Sequence, residues 1–461
     1  SGFDTDIFGA NNIGGGSSLS EGTAEMGSYR SKNRLIAFFG RVMYNIDDRF
    51  LTSLSVRREG SSRFGENHKW GWFPAASFGW RMNREKFLKD IPWINDLNLR
   101  VGYGVTGNQE IDSYQSLLLL KRAGYIYYNN EWINTYQPAT NPNPDLRWEK
   151  KSEVNAGIDF STLKNRLSGS LDFYYRKSSD LLYSYSVSVP PNLVNIKFAN
   201  VGTISNRGVE LSLRGVPVKK AKFEWNSILT FSINRNKLEK FNSDEYISDS
   251  YDIGWIGDAI GINCQKLRVG ESLGTFYGPV WIGLDELGHD LFKNANPVGQ
   301  VNAEDWEMIG NAYPDFTLGW SNTMTYGNFD LSFSLRASIG GEVLNTYRLY
   351  YENWGTLGLN NVTLSQYESP GFSGNARYSS KYVEDATFVK LDNVTLGYNL
   401  KINHRYISKS RIFFTAQDVF CLTGYQGLDP EVNLGGLTPG IEYLSYYPRT
   451  KVLTLGVNVS F

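Results

Sequence analysis

Residues 167–176 read "LSGSLDFYYR". In an extended chain Leu167, Gly169, Leu171, Phe173 and Tyr175 fall on one face, and Ser168, Ser170, Asp172, Tyr174 and Arg176 on the other. A period of two places one face in an apolar medium and the other in a polar one. The same alternation fills "FDLSFSLRAS", where Phe329, Leu331, Phe333, Leu335 and Ala337 oppose Asp330, Ser332, Ser334, Arg336 and Ser338. It returns in the closing "VLTLGVNVSF", with Leu453, Leu455, Val457, Val459 and Phe461 on the apolar side. Runs of about ten residues match the length a tilted strand needs to cross a bilayer. A soluble sandwich would alternate too, and two features decide against it. Trp70, Trp72, Phe78 and Trp80 share one face of "WGWFPAASFGW", as do Trp320 and Tyr326 of "LGWSNTMTYG", the placing of an interfacial aromatic girdle. The opposite faces carry charge, and an Arg facing lipid at the bilayer midplane would cost roughly 2–4 kcal/mol. Asp172, Arg176, Asp330 and Arg336 are therefore expected to face a wet lumen.

Working outward, the alternation predicts strands near 34–44, 49–60, 70–83, 97–107, 146–162, 166–178, 204–215, 222–236, 315–326, 329–342, 384–400, 411–423 and 450–461. Connections alternate between short and long. Asn45 to Asp48, Lys164-Asn165 and Gly327-Asn328 are tight, whereas 108–145, 180–203, 238–314, 343–382 and 424–449 are long. Outer-membrane barrels have short periplasmic turns and long extracellular loops. The fold class expected is an all-β transmembrane antiparallel barrel, with residues 1–33 left over from a Gly/Ser-rich extracellular loop and 34–461 forming strands and connections. Phe87, Leu88 and Ile91 stand at helical spacing and predict a short helix within 84–96. "SLGTFYGPVWIGLD" reads as extended, and parity puts it inside a long loop as a hairpin. The first strand descends from an extracellular loop and the last ends in the periplasm, which gives an odd strand number. Single-chain bacterial barrels have an even one, so the chain is expected to be a fragment. Exposed Gly/Ser loop tips are where proteases cut, which favours a nick as its origin.

Composition agrees with this reading. The 46 basic and 47 acidic residues leave a net charge of -1, so no global field points to nucleic acid. The chain of 461 residues exceeds one ordinary soluble core. Mean hydropathy is negative, and the longest aliphatic run, Leu117 to Leu120, is far short of the ~20 residues of a spanning helix. Cys264 and Cys421 lie too far apart for zinc or redox spacing and are read as two unpaired thiols. The opening "SGFDTDIFGANNIGGGSSLSEG" has neither a basic nor an apolar stretch of the signal-peptide kind. "LRVGYGVTGNQE" holds Gly102, Gly104 and Gly107 at dinucleotide-loop spacing. A Rossmann loop must open a helix inside a βαβ unit, and none follows. Gly102 and Gly104 are read instead as strand glycines that leave lumen space.

Seven separated stretches resemble the SusC/RagA family of TonB-dependent outer-membrane transporters of Bacteroidetes. They are "FFGRVMYNIDDRFLTSLSVRREGSSRFG", "FPAASFGWRM", "LNLRVGYGVTGNQEI", "NPDLRWEKKSEVNAGIDF", "NRGVELSL", "IGNAYPDFTLGW" and "FVKLDNVTLGYNL", in family order along almost the whole chain. The resemblance implies a 22-stranded barrel occluded by an N-terminal plug, of which this chain is the C-terminal part of about thirteen strands. It also implies a SusD-like surface lipoprotein hinged over the extracellular mouth as a lid, and energy drawn from the TonB complex. The TonB box, the plug and the early strands are absent from this sequence, so those partnerships would run through the missing N-terminal part.

Catalysis finds little support. His68, His289 and His404 fall in unrelated loops, "GLDELGHD" is read as a turn despite its faint likeness to a calcium loop, and the acceptor pattern Asn361-Val362-Thr363 is read as accidental. No cofactor or metal is expected. Two aromatic loops are candidates for contact with substrate or lid: Tyr125, Tyr127, Tyr128, Trp132 and Tyr136 in the first, Tyr347, Tyr350, Tyr351 and Trp354 in the second. Aromatic faces stack on sugar rings, pack on peptide side chains or serve partner interfaces, and self-packing of the loops is the competing reading. Resemblance to outer-membrane barrels generally implies that the terminal Phe461 is read by the assembly machinery. The function expected is active import of oligosaccharides or oligopeptides across the outer membrane, set against a passive porin or adhesin and against a soluble carbohydrate-binding β-protein.

Overall fold

The computed structural model describes residues 28, 30–89, 91–242, 249–257, 260–295, 301–354, 357–364, 376–402 and 406–461; most of the 1–33 segment and His404 lie outside them. One antiparallel sheet of thirteen strands, each hydrogen-bonded to the next in sheet order, runs through the chain. The strands are β1 (Leu35–Ile46), β2 (Phe50–Ser61), β3 (Trp70–Arg81), β4 (Ile94–Asn108), β5 (Glu149–Thr162), β6 (Leu167–Ser179) and β7 (Thr203–Lys219). They continue as β8 (Phe223–Lys240), β9 (Phe316–Tyr326), β10 (Phe329–Ile339), β11 (Phe388–Leu400), β12 (Lys409–Thr423) and β13 (Val452–Ser460). All thirteen coincide with the alternating runs. No described helix is long and apolar enough to cross a membrane.

Cross-strand register turns local alternation into two continuous surfaces. Ile46, Phe50, Trp80, Leu99, Ile158 and Leu171 are successive Cα partners across β1 to β6. Leu211, Phe231, Leu318, Ala337, Val389 and Leu422 extend that row to β12. The neighbouring row on the other face runs Gly79, Arg100, Gly157, Asp172, Glu210, Ser232, Thr317 and Ser338. A slip of one residue at any strand would mix the two sets. The register keeps them apart across the whole sheet.

Aromatic rings mark both ends of the apolar face. Near the long connections Phe38 stacks on Trp70 at 6.3 Å, and the Arg58 guanidinium lies 5.0 Å from the Trp70 ring centroid and 5.2 Å from that of Trp72. An Arg there keeps its charge at the rim while its stem covers apolar surface. Near the short turns Phe329 packs on Tyr398 at 4.7 Å. The tight turns need left-handed backbone at Asp47, Asp48, Leu163, Lys164 and Asn165 and at Gly327, where glycine carries no Cβ penalty.

The short helix expected within 84–96 is present as one α-turn, Lys86–Lys89, after a 3₁₀ turn, Met82–Arg84; β4 begins at Ile94 and claims the rest of the segment. Two local expectations are corrected. "SLGTFYGPVWIGLD" is not one hairpin. Thr275–Gly278 joins a four-stranded sheet with Ser250–Trp255, Asn263–Arg268 and Glu307–Asn311, whereas Trp281–Leu284 pairs with Asp290–Phe292. β7 runs past its predicted end at 215, where a register shift between Gly215 and Val218 interrupts the alternation, and β8 past 236, where another falls opposite Thr203 and Ile204.

The buried apolar core sits among the long connections, not between the strands' faces. One cluster gathers Cys264, Phe276, Leu344, Leu349, Tyr378 and Tyr382, and another Val201, Leu238, Ile253 and Leu267. Both cysteines are free; Cys264 is buried in the first cluster and Cys421 is exposed on β12. Burial pushes the Cys264 thiol well up, so it packs as a small hydrophobe.

Candidate functional site: the polar face and the connections above it

β4 and β6 bring Arg100 and Asp172 into one cross-strand row through Gly157, and Asp159 of β5 stands two residues along on the same face. Arg100 reaches Asp159 at 2.5 Å and 2.9 Å and Asp172 at 3.1 Å. Arg176 donates to Glu153 at 2.8 Å, and Arg411 grips Asp330 at 2.5 Å while Asn399 adds 3.1 Å. Every charged residue read from the alternation therefore lies on the polar face and is ion-paired. Each bond joins a charged donor to a charged acceptor, the stronger kind. Their partners Arg100, Glu153 and Arg411 stand at polar positions of their own strands, so parity could have found them too.

The largest cluster uses a signal that sequence alone lacks. Arg336 on β10 binds Asp392 and holds Glu431 through both nitrogens, at 2.8 Å and 3.1 Å. Lys390 on β11 donates to Asp429 at 2.7 Å and Glu431 at 3.1 Å, and Arg449 meets the same two carboxylates at 3.3 Å and 3.0 Å. Asp429, Glu431 and Arg449 belong to the 424–451 connection, which folds back onto the strand residues. Burial alone would raise the Glu431 carboxyl, but hydrogen bonds and charge from Arg336 and Lys390 outweigh it and bring it down to about 2. Lys390 and Asp429 are both about nine-tenths buried or more.

The strand glycines of β4 belong to this face. Gly102 and Gly104 line a concavity of about 350 Å³ with Arg41, Ser53, Ser77 and Glu153. A Cβ at either glycine would meet its neighbours only at 3.9 Å and 3.6 Å, so the backbone does not demand glycine there. What they leave is room.

The two aromatic loops differ. Leu120–Tyr128 and Glu131–Pro138 form a separate two-stranded hairpin whose turn, Asn129-Asn130, has positive φ at both residues, the type I′ requirement. Its register places Tyr125, Tyr127, Trp132 and Tyr136 on one face and Ile126, Tyr128 and Ile133 on the other. The five predicted aromatics are 40% to 70% exposed. In the second loop Tyr347, Tyr350 and Tyr351 lie on the short helix Thr346–Tyr351, capped by the Asn345 side chain. Tyr351 packs 5.1 Å from Tyr347 and 5.0 Å from Tyr350, whose hydroxyl accepts from Asn360. Those rings and Trp354 are half-buried. "GLDELGHD" closes a small hairpin, with Asp285 accepting from the backbone of Leu287 and His289, and no metal-binding group of acids, histidines or cysteines occurs among the described residues. Phe461 follows β13 and is 90% exposed.

A wide antiparallel sheet with one apolar and one charged, ion-paired face and a folded cap of long connections is the wall of a transmembrane β-barrel. The chain belongs to the TonB dependent receptor-like, beta-barrel family, whose model matches residues 2–260. It is similar to the TonB-dependent receptor SusC of Bacteroides thetaiotaomicron, 33% identical over 95% of this chain and 45% of that one. It is also similar to the TonB-dependent receptor P3 of Formosa agariphila, 30% identical over 95% of this chain and 47% of that one. Among solved structures it superposes on the RagAB peptide transporter with a TM-score of 0.78 and 26% identity, covering 93% of this chain and 48% of that one. The chain spans about half the length of the relatives it matches.

Proposed function

We propose that the full-length protein imports oligosaccharides or oligopeptides across the bacterial outer membrane, driven by TonB and gated by a SusD-like lipoprotein. In this reading residues 34–461 supply thirteen strands of the wall, and the rest of a 22-stranded barrel and the plug lie in the N-terminal part of the same protein. The short turns face the periplasm and the long connections the outside, with 1–33 as the remainder of one such loop. The apolar rows meet lipid, while Asp172, Arg176, Asp330 and Arg336 line the lumen. The exposed hairpin aromatics meet lid or substrate, and Phe461 is the signal read during barrel assembly.

The observation that carries the reading is the apolar row from Ile46 to Leu422. Twelve strands contribute to it, with Ile46, Ile158 and Leu422 exposed along it, and a continuous apolar surface of that extent belongs in lipid, not in water. Family membership and the likeness to SusC and RagAB support the transport role. The test is uptake of a labelled oligosaccharide or peptide mixture by cells carrying the full-length gene, with and without TonB. Import should collapse without TonB. A TonB-independent flux, with ion conductance in planar bilayers, would favour the passive porin instead.

A further inference from the structure

Two short turns concentrate positive charge. Lys219, Lys220 and Lys222 fall within 216–222, which holds no acid, and Lys164 stands on the turn between β5 and β6. All four lysines are exposed. Arg166 fastens the two turns together: its Nε and Nη2 donate to the carbonyl of Val216 at 3.1 Å and 3.0 Å, and Nη2 also to that of Pro217 at 2.7 Å. Lys219 stands 3.8 Å from Glu224, and Lys164, Lys220 and Lys222 meet no carboxylate among the described residues. The turn between β1 and β2 shows the contrast, since Asp47 takes Arg49 at 3.3 Å and Asp48 takes Arg81 at 3.8 Å. We propose that the lysines of turns 163–166 and 216–222 form a docking patch for the anionic headgroup of a phospholipid in the periplasmic leaflet. The proposal rests on the barrel and the orientation given above and adds a partner to them.

Position selects a lipid over a soluble anion. Lys222 directly precedes Phe223, and Phe223, Tyr326, Phe329 and Tyr398 are successive Cα partners on the apolar face. Tyr326 is 62% exposed and Phe329 51%, the placing of rings at the level where headgroups begin. A strand advances about 3.3 Å per residue, and lysine stems lie along apolar surface while their ammonium groups reach beyond it. The charges of 216–222 therefore stand just past the aromatic row, at the depth of the phosphates. On the neighbouring turn the exposed Leu163 and Lys164 repeat the pairing of apolar and charged groups. Four lysines beside one acid attract a phosphodiester, and the attraction grows with each lysine and falls with salt. A free phosphate would gain the same charge contacts but has no acyl chains to bury against the apolar rows.

The experiment inserts the full-length protein into vesicles of equal phosphatidylglycerol and phosphatidylcholine, extracts it in mild detergent and weighs the retained lipids by native mass spectrometry. Phosphatidylglycerol should be retained ~10-fold over phosphatidylcholine, and the triple variant Lys219→Gln, Lys220→Gln, Lys222→Gln should cut that preference to ~2-fold. The same charge change among the long connections, Lys69→Gln with Lys121→Gln and Lys240→Gln, should leave it intact. All six positions are exposed, where substitutions change stability little. Arg166→Ala, which keeps every lysine but releases the two turns from each other, should give an intermediate loss. Glycerol phosphate added during extraction should displace no lipid. Equal retention of the two lipids, an undiminished preference in the first triple, an equal loss in the second, or displacement by glycerol phosphate would each overturn the proposal. Failure to enter vesicles at all would overturn it together with the barrel reading, whereas entry without enrichment overturns the lipid patch alone.

Discussion

The hairpin over 120–138 and the helix Thr346–Tyr351 have the same composition and opposite circumstances. Both are rich in Tyr with one Trp close by. The hairpin is held by its own ladder and by the Asn129-Asn130 turn, and nearly every side chain on both of its faces is exposed. The helix is locked in place. Leu349 is buried in the cap core, and Arg348 pairs with Glu352 at 2.7 Å and Glu384 at 2.6 Å. Aromatic content therefore does not say whether a loop is free to bind. Position relative to a packed core does. The hairpin's aromatics are 40% to 70% exposed, whereas the helix's tyrosines are half-buried against one another.

The most damaging way to probe this difference is Leu349→Ala, expected to weaken the cap by about 2–5 kcal/mol, the cost of a cavity in a packed cluster. Hydrogen exchange should rise over 340–351 and leave 120–138 unchanged. Equal loosening of the hairpin would mean that the two loops form one unit after all. Next comes the pair Tyr127→Ala with Trp132→Ala. Their rings lie 5.3 Å apart, and their loss should lower affinity for the lid or substrate by about 2 kcal/mol. Thermal stability should hold within ~0.5 kcal/mol, the usual range for surface changes. Unaltered binding in that double variant would remove the hairpin from the site. Asn129→Val places a branched residue at a positive φ and should cost the hairpin about 1–2 kcal/mol. The loss should be readable as faster exchange of the 120–138 amides alone.

The 424–451 connection stands between these extremes, tethered by its ion pairs and by the buried Tyr425, Val432 and Ile441, and it supplies the mildest test. Glu431 is held down to about 2, below its unfolded value. Its contribution is therefore present above the usual carboxylate range and lost as pH falls toward 2. Glu431→Gln should flatten the acid limb of the stability profile between about pH 4.5 and 2, as followed by melting in a pH series. An unchanged acid limb would mean that the tether holds by packing and not by charge.

Much of this was legible before any coordinates. Asp172, Arg176, Asp330 and Arg336 stood at polar positions of alternating runs, and their ion pairs follow from neighbouring strands that alternate in step. The small strands of the cap were less visible. Thr275–Gly278 is buried on both faces, so it has no period of two to detect, and its sheet partners lie in other parts of the connection. Asp429, Glu431 and Arg449 were missed because nothing in an irregular loop announces that it folds back onto a charged wall.

By itself the sequence determined the strands, their two faces and the rule that short turns alternate with long connections, because a period of two is a local property that each ten-residue run carries independently. Only the tertiary structure decided which aromatic loop is packed and which is exposed, and which acid meets Arg336. Those outcomes depend on contacts between segments tens of residues apart, and burial there is set by the neighbours that arrive, not by the residues that receive them.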